Sequence, residues 1–446
     1  MKKTRLTIFS LSVALIMTAC ANAQNGSQGN GNKADGSSIN NPATSENVSV
    51  NGITLKTPED TSMLTENCKA YIDDIRASIG DDTDPYKYHE ISLNIEDASK
   101  NYLDTGDVNG QNRTVSGKIP DRSDKSMGVE LEFEVEDDEE TYKVLVSRNE
   151  DMSDAKEIVT TDNYVNVNNL FVNTEYYWKV VAGDKESAVA KFETGDYPRW
   201  ITCRSLTGEE DGRGIYNVRD LGGYMTESGK RVKQGLVYRG GEITTMTSSG
   251  HYNTITEVAK KAFREDMGMV GGVELDLRGT SDIGDNYKAC GFAENGDIQY
   301  VMHAIKSYEQ TFTNTRSEVA PIFEILKEAD TKPVYFHCFG GADRTGTIGF
   351  LLNGLLGVSY EDLVIDFELT SYSSINNEHI RNHLDGHQHQ YDRWPALINQ
   401  IKTDTTGGYA WDDNALLMDN IENFLVKACS VPQNTIDTIR DIMLED

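Results

Sequence analysis

The sequence predicts a small all-β sandwich followed by a larger α/β domain with a central sheet and flanking helices. Three observations carry that expectation. Short strands of alternating character recur between turn residues, as in "GVELEFEVEDDEETYKVLVS". Further on, "KPVYFHCF" is a short apolar strand that runs straight into Gly340-Gly341 and then into the nearly all-apolar "TGTIGFLLNGLLGV". Strand, glycine loop and buried helix in that order belong to an α/β fold. Finally, 446 residues are too many for one core and suit several domains.

The chain begins with an address. Lys2, Lys3 and Arg5 precede an apolar run from Leu6 to Met17, and small residues lead to Cys20. This is the order of a bacterial secretion signal. It resembles a lipoprotein signal, which implies that residues 1–19 are removed and that Cys20 carries the lipid. The alternative is an ordinary cleaved signal with an incidental cysteine. No other stretch nears the ~20 apolar residues of a spanning helix. The expected location is extracytoplasmic, lipid-anchored to a bacterial envelope membrane.

Composition narrows the partners. Asp and Glu number 72 against 42 Lys and Arg, a formal charge of −30. Such a chain is a poor nucleic-acid binder, because that binding rests on cations neutralising phosphates. The acidity reads as a solvated surface, so an anionic substrate needs a local positive island. Six cysteines are too few for a disulfide scaffold at this length. The pairing of Cys68, Cys203, Cys290 and Cys429 is not fixed by the sequence.

In chain order, Ala21 to about Ser49 is Asn, Gly, Ser and Gln with little to bury, a flexible linker that with Cys20 spans 20–50. Residues 51–85 have no assigned role, although Leu64, Cys68, Tyr71, Ile72 and Ile75 have helical spacing. The sandwich is expected over 86–197. Val129, Leu131, Phe133 and Val135 alternate with acids, and Tyr142, Val144 and Val146 repeat the pattern. "NLFVNTEYYWKVVA" resembles the fibronectin type III pattern, with Tyr176 placed like the corner tyrosine of such sandwiches. Nothing there is catalytic in type, so this part reads as a spacer or a protein-docking module. The α/β domain is expected over 198–446.

The chemistry concentrates in "VYFHCFGGADRTG". A thiol at the mouth of a strand-to-helix loop becomes a thiolate more readily, because loop amides, the helix N-terminus and a nearby cation all favour negative charge. Gly340 and Gly341 let the loop curl with its N–H groups inward. Arg344, six positions after Cys338, closes it with a planar fork that can hold two phosphoryl oxygens. Cys338 is the expected nucleophile for phosphoryl transfer. Phe339, Gly340, Gly341, Ala342, Asp343, Arg344 and Thr345 form the expected phosphate cradle. The Thr345 hydroxyl is placed to ease sulfur out of a phosphocysteine.

Over about 200–446 the chain resembles the protein tyrosine phosphatase superfamily. More narrowly it resembles bacterial tyrosine and lipid phosphatases with an "HCxxGxDRTG" loop, every fixed position of which is met by "HCFGGADRTG". The stretch "NVRDLGGYMTESGKRVKQGLVYRGGEI" resembles the opening motif of that branch, and "LLGVSYEDLVIDFELTSYS" its next helices. The resemblance implies a metal-independent phosphomonoesterase without a cofactor, acting on phosphotyrosine in proteins through a phosphocysteine; phosphoserine and phosphothreonine remain open as further substrates. A phosphoinositide or inositol phosphate phosphatase is the alternative, and a phosphate-binding module without chemistry a remote one.

Two departures matter. Many relatives take their general acid from an Asp ahead of the helix before the nucleophile's strand, but "IQYVMHAIKSYEQTFTNTRSE" has no Asp. Asp343 is the first choice of acid, with Glu309 and Asp276 as further candidates; Asp276 has the alternative of buttressing the loop. Position 342 is Ala where phosphoinositide-directed relatives carry Lys. Arg239 either touches substrate or pairs with an acid, and Asp220 reads as a turn or ion-pair residue. His303, His379, His383, His387 and His389 do not make a metal signature, since Gly386 interrupts the helical spacing and no carboxylate–histidine motif surrounds them.

Overall fold

The computed structural model describes residues 47–79, 126–137, 139–203, 214–243, 255–283, 296–370, 373 and 393–445. The signal, Cys20, most of the linker, Cys290 and the histidines from His379 to His389 lie outside the described residues.

Two antiparallel sheets face each other in the N-terminal part. One is ordered β1 (Val48–Val50), β2 (Ile53–Leu55), β3 (Val129–Val135), β6 (Tyr164–Val167). The other runs β5 (Lys156–Thr160), β4 (Tyr142–Ser147), β7 (Glu175–Ala182), with β8 (Lys185–Glu186) and β9 (Ala190–Glu193) both on the far side of β7. The alternation read from the sequence is what packs them. Val129, Leu131, Phe133, Val144, Trp178 and Val180 are buried between the sheets while the intervening acids of β3 face water. Tyr176 is buried, and its hydroxyl accepts from the Phe171 N–H at 2.9 Å.

The sandwich begins earlier than the expected residue 86. Ile53↔Val135 and Leu55↔Phe133 pair β2 with β3, so residues from the unassigned segment close one sheet. Strands of three residues are too short for alternation to be read. The same segment then crosses to the second part: in the helix Glu66–Ile79, Cys68 and Ile72 join the core of the C-terminal domain.

That domain is built on a sheet ordered β10 (Arg219–Asp220), β11 (Val237–Gly240), β14 (Val334–His337), β12 (Val273–Asp276), β13 (Gln299–Met302). Only β10 is antiparallel. Parallel strands need crossovers, supplied here by stretches that include the helices Glu257–Lys261 and Val319–Leu326. β14 is central, and the carboxyl ends of such strands are where α/β sheets bind ligands.

Arg199 joins the two parts. Its buried guanidinium bonds Asp220 Oδ2 at 2.7 Å and three backbone oxygens: Leu170 at 3.1 Å, Asn169 at 2.8 Å and Asp266 at 3.1 Å. The Gln234 amide adds two bonds to the backbone of Val172, at 2.8 and 2.9 Å. One surface of the sandwich is therefore committed to the α/β domain. Asp220 serves this junction, and it also caps the N–H groups of Gly222 and Gly235 at 2.8 Å each.

Candidate active site

Strand β14 is "VYFH", fully buried between β11 and β12. The chain leaves it at Cys338, which is buried at 5% exposure. After a four-residue turn it enters the helix Asp343–Leu356, buried from Thr345 onward. The loop therefore sits at the carboxyl end of the central strand and at the N-terminus of a core helix, a place that favours an anion.

Four consecutive loop carbonyls are held away from the loop's interior. Cys338 O faces His337 Nδ1 at 3.1 Å, and Phe339 O accepts from the Glu242 N–H at 2.8 Å. Gly340 O accepts from Asn217 Nδ2 at 2.9 Å, and Gly341 O from Arg239 Nη2 at 2.7 Å. In a trans peptide the N–H points opposite to the carbonyl of the same plane. The N–H groups of Phe339, Gly340, Gly341 and Ala342 are thus turned toward the inside, where they can meet anionic oxygens.

The groups that hold those carbonyls are themselves held. Asp366 pairs with both Arg219 (Nε to Oδ1, 3.2 Å) and Arg239 (Nη1 to Oδ2), and Arg219 also bonds Asn217 Oδ1. All are buried. Burial and the neighbouring Arg239 push the Arg219 guanidinium down to about 10, still charged at neutral pH. Burial works against the Asp366 carboxylate, but Arg239 and Arg219 outweigh it and keep its pKa low. Two cations on one anion leave a net positive charge behind the loop. Arg239 is thus an acid-paired residue that braces the loop, one of the two roles open from the sequence.

A second buried network lies under the sulfur. The two ring nitrogens of His337 face Glu274 Oε1 and Cys338 O, each at 3.1 Å. Both partners can accept, an arrangement that suits a ring carrying hydrogen on both nitrogens. Burial alone would lower its pKa, but Asp276 and Glu274 more than offset that and raise it.

Asp276 is fully buried. It takes the Arg278 N–H and Nε at 2.9 Å, Arg278 Nη2 at 2.8 Å and the Tyr300 hydroxyl at 3.0 Å. Burial tends to raise its pKa, but His337 and Arg278 leave it lowered, so it is a poor proton donor. Its geometry is that of a buttress.

Arg344 meets an acid that the sequence reading passed over. Its Nη1 and Nη2 bond Asp282 at 2.7 and 3.2 Å. A guanidinium has five N–H groups, so this bidentate pair fixes the fork and leaves three for a ligand.

Asp343 lies in the first turn of the helix, half-exposed, and Oδ1 accepts from the Tyr308 hydroxyl at 2.7 Å. Tyr308 has φ 50 and ψ −129, a conformation rare for a non-glycine residue; its N–H is fixed by Thr347 Oγ1 at 2.9 Å. Glu309 instead pairs with Arg393 at 3.4 Å, and His303 with Glu318 at 2.9 Å. Ala342 is fully buried. Thr345 Oγ1 is buried without a hydrogen-bond partner among the described residues, so the expected bond to the sulfur is not made in this structure.

Gly341 has φ 66, and a Cβ there would stand 2.3 Å from the carbonyl carbon and oxygen of Gly240. Neither atom belongs to a side chain that can turn away. Gly341→Ala is expected to lower turnover by roughly tenfold or more and the melting temperature by roughly 2–8 °C. Steady-state kinetics and a thermal melt on the same preparation check both.

The profile of the tyrosine phosphatase family matches residues 211–445, more than half of the chain. No curated protein matches.

Proposed function

The chain belongs to the tyrosine phosphatase family and is a phosphatase; from that premise we propose that Cys338 attacks phosphotyrosine in proteins and forms a phosphocysteine. The observation that carries this reading is the ring of outward-held carbonyls around Cys338 with the Arg344 fork fixed at its end. The thiolate forms a bond to phosphorus as the bond to the leaving oxygen breaks. Inward N–H groups and the three remaining Arg344 donors meet the equatorial oxygens, where charge spreads in the transition state. Asp343 gives its proton to the leaving oxygen. As a carboxylate it then takes a proton from water, which attacks phosphorus and releases the thiolate.

Two further readings accompany this one. The sheets β2–β3–β6 and β5–β4–β7–β9, with the hydroxyl of Tyr176 on the Phe171 backbone, support a fibronectin type III-like sandwich. Its surface away from Arg199 is the candidate for protein docking. The charged, then apolar N-terminus ending at Cys20 supports a lipid anchor on the extracytoplasmic side of a bacterial membrane.

Side-by-side turnover tests the substrate. Phosphotyrosine peptides are expected to exceed phosphoserine and phosphothreonine peptides, inositol phosphates and phosphoinositide headgroups in kcat/KM by at least roughly tenfold. Faster turnover of the headgroups would replace phosphotyrosine with a phosphoinositide.

A further inference from the structure

We propose that Phe339 selects aryl over alkyl phosphomonoesters by offering the leaving group a fixed aromatic face at the mouth of the loop. The inference rests on the phosphatase reading above and adds the residue that sets the substrate class.

The residues around Phe339 in the loop are buried, yet its own side chain is 44% exposed. Among the aromatic side chains whose burial is described, no other is exposed to that degree; the rest are half-buried or buried. An apolar ring held in water beside the nucleophile carries a solvation cost that a ligand ring would relieve. It is also held in place. The Phe339 carbonyl is pinned by the Glu242 N–H at 2.8 Å, and the Arg278 guanidinium lies 5.2 Å from the ring centroid. The Arg278 guanidinium cannot move aside, because Asp276 takes its Nε and Nη2 N–H groups and Glu242 its Nη1. The cation supports the ring from one side, and the ring remains exposed to an incoming group.

In-line attack puts the leaving group opposite the sulfur, hence toward the mouth of the loop. An aryl leaving group there can stack on or pack edge-on against Phe339, whereas an alkyl chain gains much less. Nothing at position 342 offsets this for polyanions, since Ala342 is buried and uncharged.

The test uses the full chain and its Phe339→Ala and Phe339→Tyr variants. Turnover of phenyl phosphate is compared with that of glycerol 2-phosphate, and inhibition by phenylphosphonate with inhibition by methylphosphonate. Taking each aryl-to-alkyl ratio relative to wild type cancels the intrinsic reactivity of the esters. Phe339→Ala is expected to lower both ratios about fivefold to tenfold, and Phe339→Tyr to keep them within about twofold. Ratios in Phe339→Ala that match wild type, with wild type active, overturn this proposal alone. A wild type that turns over neither ester overturns the phosphatase reading and this proposal with it.

Discussion

Cys338→Ser is expected to bring turnover of any aryl phosphate below detection, a loss of at least roughly 10⁴-fold, while the variant still binds vanadate or phosphate. The two halves of that result have separate causes. A serine hydroxyl beside His337 remains protonated at neutral pH and lacks the nucleophilicity of a thiolate, so the P–S bond has no equivalent. Binding persists because, among the described residues, no hydrogen bond that shapes the cradle passes through the sulfur. Glu242, Asn217 and Arg239 hold the carbonyls, and Asp282 holds Arg344. Turnover by steady-state assay and oxyanion binding by calorimetry check the two halves. Serine-variant activity near wild type would remove Cys338 from the mechanism.

Asp343→Asn is expected to cost roughly 10²–10⁴-fold on phenyl or alkyl phosphates, the usual scale of general acid catalysis. On dinitrophenyl phosphate the cost in kcat/KM, which reads the first step, should shrink toward nothing, because that leaving group departs without a proton. Geometry favours Asp343 over the other acids. Asp276 is sealed under Arg278 and Tyr300, and Glu309 is turned to Arg393. Asp282 is bound bidentately by Arg344; burial tends to raise its pKa, but the Arg344 bond leaves it lowered. Asp343 alone of these combines half-exposure with a place in the loop, and Tyr308 fixes its orientation through one oxygen. If Asp343 merely braces the helix start, the variant will lose activity by a similar factor on every leaving group and will bind vanadate more weakly. A series of aryl phosphates of graded leaving-group pKa separates the cases, and a slope parallel to wild type would move the search to Asp282.

The loop itself could be read from the sequence because its chemistry is local. Cys338, the two glycines and Arg344 sit within seven residues, and the apolar runs on either side fix strand and helix. The alternation of β3 and β4 made the sandwich legible for the same reason. What holds the loop open could not be read. Asn217 and Arg239 lie in a stretch recognised as a motif, but their loop contacts join segments more than a hundred residues apart. Asp366 closes that clamp from a helix beyond the loop, where it looks like one more acid in an acidic chain. Asp282 stands six residues after Asp276 in "LDLRGTSD", and no local pattern links it to Arg344. The Arg199 junction escaped for a related reason: three of its partners are backbone oxygens, which leave no trace in residue type.

The central claim is a covalent bond between phosphorus and one sulfur. It is tested most directly by mixing the enzyme with a phosphate-labelled aryl ester, quenching with denaturant within a turnover, and mapping the labelled peptide by mass spectrometry. The expected result is a single phosphate on the peptide that contains Cys338, lost in Cys338→Ser and, with a dinitrophenyl ester that needs no acid, accumulating further in Asp343→Asn, whose second step lacks its base. Label on any other residue, or a burst of released alcohol with no phosphate on the protein, would contradict it.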